Sequence, residues 1–260
     1  MHDGAAGAGV TRLRPREGAA RAFVIHLSLS AAVVAALAAT MWRLWYPQPF
    51  FMHDGGWQML RLIVLVDVGI GPLLTLLVFD RAKPELRRDL AVIAALQLAA
   101  FACGTWVMHA WRPAFLVHAS STFHSVPWPD MLRATPDPGP ARAIAAMTSP
   151  PARVVLDLPR DAAARGALLQ RSLAGGPAVI HLGQYYRAVD EEAFRNIAAE
   201  GADIEALARA DPEVRAALDG LRARHGAGIE GFVFVPAQLR YGMLMLVFDR
   251  RTGTLVDWME

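Results

Sequence analysis

Two regimes of hydrophobic patterning divide the chain. Between Arg21 and Arg43 no charged residue occurs, and a run of that length matches the roughly 20 apolar residues that carry a helix across the hydrocarbon core of a bilayer. It predicts a first span at about residues 22–42. Trp42, Trp45 and Tyr46 crowd its end, where amphipathic rings favour the headgroup layer. Arg12, Arg14 and Arg16 precede it and Ala36-Leu37-Ala38 resembles a cleavage site, but the apolar core is longer than the ~7–15 residues of a signal peptide, which favours an uncleaved anchor. Leu62–Phe79 predicts a second span, interrupted by Asp67, Gly69 and Gly71-Pro72, and Leu90–Met108 predicts a third with no charge. On the third, Ala95, Ala99 and Cys103 recur every fourth residue, a stripe suited to close helix packing.

Past residue 112 the pattern becomes that of a globular α+β domain. Nine prolines fall between Pro113 and Pro159, so residues 112–152 are expected to form an irregular connector. Beyond it, Arg153–Leu158 and Ala178–Leu182 predict strands, and Asp161–Leu173 predicts a helix capped by Asp161 and ended by Gly175-Gly176. Asp190 opens another helix, and Asp211-Pro212-Glu213 is a strong start signal for the next. Gly231–Val235, Gly242–Phe248 and Gly253–Trp258 predict a C-terminal antiparallel sheet, its last two strands joined by Asp249–Gly253. The expected organisation is a flexible tail over 1–20, three helices within 21–111, the connector, and an α+β domain over 153–260.

Charge gives this plan a direction. Arg12, Arg14, Arg16 and Arg21 precede the first span, Arg81, Lys83, Arg87 and Arg88 lie between the second and third, and Tyr46–Gln58 holds no Lys or Arg. By the positive-inside rule the N-terminus is cytoplasmic and the α+β domain periplasmic, in a bacterial inner membrane. The part after Ala110 holds 16 Lys+Arg against 17 Asp+Glu, which argues against nucleic-acid binding. One cysteine, Cys103, precludes an intrachain disulfide, and the single lysine, Lys83, leaves none for a Schiff base or a phosphate loop in the outer domain.

Chemistry-bearing residues are few. Asp67 is the one acid inside a predicted span, where insertion costs about 2.5–3.5 kcal/mol near the centre. It calls for a hydrogen-bond partner, either Gln97 on the third span or backbone freed by Pro72. Asp67, Gly71, Pro72 and Gln97 are therefore the candidate site, as a polar contact within the helix bundle or as a contact to a partner helix. His109, His118 and His124 straddle a span exit and a loop at spacings looser than metal sites use. Tyr185-Tyr186 is a candidate surface, though tyrosines at strand ends are more often half-buried packing. The outer half has no nucleophile elbow, phosphate loop, paired cysteines or zinc-binding helix motif. No cofactor, metal or enzymatic activity is expected.

Trp45-Tyr46-Pro47, Pro49-Phe50-Phe51, Gly55-Gly56 and Val66-Asp67-Val68 run on through Gly71-Pro72-Leu73-Leu74-Thr75-Leu76 to Val78-Phe79. With Leu86-Arg87-Arg88-Asp89-Leu90, Gln97-Leu98, Gly104 and Arg112-Pro113-Ala114, this order resembles the type IV pilin accessory proteins of the TfpX/TfpZ group, over roughly Arg21–Val117. The resemblance implies an inner-membrane factor that helps a cognate pilin subunit become assembled, by direct binding. It brings no catalytic residues. Two other readings remain: a membrane enzyme or proton-linked transporter using Asp67, and a membrane-anchored periplasmic sensor.

Overall fold

The computed structural model describes residues 18–226 and 228–260. Most of the expected N-terminal tail, including Arg12, Arg14 and Arg16, lies outside the described residues. The chain forms two compact units. Of the described residues, those up to Leu37 with Arg61–Gly104 make one, and Ala38–Leu60 with those from Thr105 to Glu260 make the other. Three helices are long and apolar enough to cross a membrane: Ala19–Trp45, Gly56–Val78 and Leu86–Ala110. The first and third contain the expected apolar run and extend past it into polar residues, whereas the second ends at Val78 and leaves out Phe79 of its run.

The second of these candidate spans is not uniform. Gly56–Ile63 and Gly71–Val78 are α-helical, and Val64–Ile70 between them is wound as a π-helix, closed by Gly71 N–H donating to the Val66 carbonyl. Asp67 sits inside this wider turn. One residue further on the same register would pair Pro72 with the Asp67 carbonyl, but proline has no N–H to give. On the third candidate span the Ala95, Ala99, Cys103 stripe is exposed. The approach occurs instead at Gly104, where an added Cβ would lie 3.0 Å from Ile63 Cδ1.

The second unit is built on a seven-stranded mixed sheet. Its strands are β1 (Pro113–Ala119), β2 (Thr122–Pro127), β3 (Ala152–Leu156), β4 (Tyr186–Ala188), β5 (Phe232–Leu239), β6 (Gly242–Asp249) and β7 (Leu255–Met259). Their spatial order is β4-β3-β1-β2-β5-β6-β7. β1 pairs with β3 and β2 with β5 in parallel, and the remaining pairs are antiparallel. Side chains alternate across a strand, so Leu116, Val233, Val235, Leu246 and Phe248 pack with Phe194 and Ile197 of helix Glu191–Ala199 on one face. On the opposite face Phe115, Val117 and Val154 pack on Met131 and Ile144, and Phe234 and Val247 pack on Leu218 and Leu221. Helices Trp128–Ala134, Gly139–Met147, Ile204–Ala210 and Pro212–His225 supply that second cover.

Several expectations are corrected. Residues 112–152 are not an irregular connector, for they hold β1, β2 and two helices. The prolines sit where proline is tolerated: Pro113 opens β1, Pro127 closes β2, and Pro129 and Pro140 occupy first helical turns, where a missing N–H costs nothing. Ala178–Leu182 is no strand. Its central residues form a 3₁₀ turn, Val179–His181, held by Thr135, whose hydroxyl donates to the His181 carbonyl at 2.9 Å and accepts from Gly183 N–H at 2.7 Å. Helix Ile204–Ala210 lies where none was expected, capped by the Asp203 side chain. Asp161, Asp190 and Asp211 cap the three helices that were expected there.

Candidate functional site

Asp67, Gly71, Pro72 and Gln97 come together in the first unit. Gln97 Nε2 donates to the main-chain carbonyl of Asp67 at 3.4 Å, the acceptor that Pro72 leaves without a helical donor. Gly71 is what admits it, since a Cβ there would lie 1.7 Å from Gln97 Nε2. Gln97 thus serves the backbone and not the carboxyl, contrary to one of the two partners expected for it. Asp67 is 6% exposed, and its Oδ2 and Gln97 Oε1 are both buried with no hydrogen-bond partner. Close by in the same unit, His26 Nδ1 and Thr75 Oγ1 are 2.7 Å apart and tie the first candidate span to the second.

A second constellation, in the other unit, involves residues that contribute to the family resemblance but were not among the candidate site residues. Tyr46 donates to the Met108 carbonyl at 3.0 Å, and Phe50, 2% exposed, enters the core cluster of β5 and β6. The Asp54 carboxylate accepts from Ser125 Oγ of β2 at 2.5 Å and from Arg240 N–H at 2.9 Å. Tyr241 N–H donates to the His53 carbonyl at 3.0 Å. Gly55 takes φ +106°, with the Tyr241 ring 3.3 Å from the position of a Cβ, so a side chain there would be strained and crowded. Residues 46–55 therefore form a clasp on the β2 strand and the β5–β6 turn. Arg240 also stacks over Trp111 at 5.0 Å, beside Arg133 at 5.2 Å. Burial pushes the Asp54 carboxyl above its ordinary range, with the Ser125 and Arg240 hydrogen bonds pulling it back. Burial likewise raises the Tyr46 phenol.

The second unit also has an open cleft of about 510 Å³, lined among others by His118, His124, Arg187, Asn196 and Glu200. His118 Nε2 is buried without a partner, and burial holds both His118 and His124 below the usual imidazole range. At its rim the β1–β2 turn places Ser120 and Ser121 at φ +50° and +59°. Ser121 Oγ donates to Glu200 at 3.1 Å. His109 belongs to the third candidate span, apart from the other two in sequence. Among the described residues no group of three or more His, Cys, Asp or Glu could hold a metal ion. Tyr186 is core: it is 5% exposed, its ring meets Phe115 edge-on, and its hydroxyl donates to the Ile180 carbonyl.

Three apolar helices, a strand-clasping segment between the first two, and a mixed α+β unit define a multi-helix protein built for membrane association. A family profile described as fimbrial assembly protein FimB matches residues 15–55, the stretch that contains the clasp. The fimbrial assembly protein of serogroups C1 and C2 from Dichelobacter nodosus is 36% identical over 101 residues, which cover 38% of this chain and 77% of that protein. Those of serogroups I and E1 are also 36% identical over 101 residues, but these amount to 39% of their length. The chain belongs to the fimbrial assembly protein family. Its match thus spans under half the length of the serogroup I and E1 relatives. No solved structure matches.

Proposed function

We propose that this protein is an accessory factor for type IV pilus assembly that works by binding a cognate pilin and not by catalysing a reaction. It resides in the bacterial inner membrane with the N-terminus cytoplasmic and the α+β unit periplasmic. The observation that carries the reading is the similarity to fimbrial assembly proteins, whose matched profile covers residues 15–55, together with what those residues do. They fix the clasp to the α+β unit and leave the cleft beside His118 and Glu200 open. That is the arrangement of a membrane-held binding module.

The test is genetic and chemical. Removing the chain from a piliated cell is expected to reduce surface pili, and a photoreactive residue at Leu169, on the cleft wall, is expected to trap pilin. Normal piliation without the protein, with pilin trapped from no position, would refute the proposal.

A further inference from the structure

Within the first unit a cavity of about 310 Å³ opens among the three candidate spans, lined by His26, Ser30, Val34, Asp67, Gln97 and Phe101, among others. Its walls are apolar apart from a few groups, and the status of those groups decides what fits. His26 engages Thr75 through Nδ1. The Gln97 amide nitrogen is spent on the Asp67 carbonyl. Asp67 Oδ2 and Gln97 Oε1 are two buried acceptors without a donor, in a place where water is scarce and unpaired polar groups are costly.

We propose that this cavity is a lateral docking groove for a transmembrane helix of the pilin that the protein serves, a helix carrying a hydrogen-bond donor at the depth of Asp67. A hydroxyl, amide or cationic side chain meets the requirement. The inference rests on the pilin-binding reading above and assigns it a place within the bilayer. Lipid chains fill apolar volume but bring no donor. A second copy of this chain is the competing occupant, and it would reveal itself as a product joining two copies at the groove wall. A different helix brings the missing donor, one hydrogen from a hydroxyl or two or more from an amide or cationic group. The third candidate span, with 6% of its apolar window buried, leaves the surface beside the groove open to such a helix.

The experiment uses the full chain, expressed with its pilin in a piliated cell. A photoreactive residue replaces Leu98, on the groove wall, or Leu169, on the outer cleft, and products are identified by antibodies to pilin and to this protein. The Leu98 probe is expected to trap pilin. Asp67→Asn keeps a carbonyl acceptor and is expected to preserve that yield within about twofold, whereas Asp67→Leu lowers it at least about threefold. Yields are compared at equal accumulated protein, and Asp67→Ala replaces Asp67→Leu if the latter does not accumulate. Pilin trapped from Leu169 but not from Leu98 overturns the groove and leaves the pilin reading standing. A product joining two copies of this chain at Leu98, or a yield unchanged by removal of the carboxyl, also overturns it. Pilin trapped from neither position removes the pilin reading itself, and the groove with it.

Discussion

Asp54 is a carboxylate pulled in two directions, since its burial disfavours charge while Ser125 and the Arg240 N–H stabilise it. Asp54→Ala leaves that hydroxyl and that N–H facing nothing, and an unmatched buried polar group costs about 1–3 kcal/mol. Asp54→Asn keeps an acceptor for Arg240 and offers Ser125 a donor. The alanine variant is therefore expected to lower the thermal midpoint in detergent by several degrees and the asparagine variant by much less. The pH dependence follows from the same site. The folded carboxyl titrates above its unfolded value, so its ionisation removes stability as pH climbs from the ordinary carboxylate range through the raised folded value. Wild type should lose more stability than Asp54→Asn as pH rises above about 4, the ordinary carboxylate range. Parallel pH profiles for the two would show that Asp54 does not titrate as described. The sequence displays Asp54 only as an acid in a loop without Lys or Arg. Its importance was illegible because its partners lie 71 and 186 residues away, a separation that no local pattern encodes.

Elements built from long apolar runs were legible, because a bilayer demands a length that few other structures need. Helix starts were legible too, because an aspartate side chain satisfies a free N–H at Asp161, Asp190 and Asp211. Prolines misled the reading between residues 112 and 152. Proline density predicts breaks there, whereas four of the prolines stand at the ends of strands or in the first turns of helices. Pro236 even lies within β5, opposite Met245. The candidate site was legible as a set of residue types, Asp67, Gly71, Pro72 and Gln97, but not in its bonding, since the π turn redirects Gln97 to the backbone. This bonding predicts a coupled pair. Gly71→Ala drives a methyl into Gln97, whereas on a Gln97→Ala background the same change no longer meets that amide and gains the helix preference of alanine over glycine, about 1 kcal/mol. Each single variant is expected to destabilise the helices in detergent, and the double variant to be more stable than the sum of the two predicts. Additive effects would disprove the contact. The Ser120-Ser121 turn offers a separate check. Both residues hold positive φ, a strain that costs ordinary residues about 1–2 kcal/mol. Ser120→Gly should raise the unfolding midpoint, and a fall would contradict the turn geometry.

For the whole molecule, the proposed orientation depends on charge placed at one side of three apolar helices. Arg81, Lys83, Arg87 and Arg88 lie around the connection between the second and third candidate spans, and Tyr46–Gln58 on the opposite side has no Lys or Arg. In the proposed orientation that imbalance is what resists translocation of the basic connection and directs the chain after residue 112 outward. A phosphatase that is active only in the periplasm should work when fused after Glu260 and fail when inserted between Arg81 and Glu85. The clasp makes this outcome matter beyond topology. Tyr46, Phe50 and Asp54 are bonded or packed within the α+β unit, so the segment following the first span and the sheet have to reach the same compartment before that unit can close. Replacing the four basic residues by glutamine leaves every clasp contact in place while weakening the topological signal. The predicted result is a fall in the phosphatase activity of the Glu260 fusion, together with loss of the Asp54-dependent stability in the misoriented fraction. Undiminished activity would mean that the four residues do not set the orientation, and that the apolar helices insert under the control of some other part of the chain.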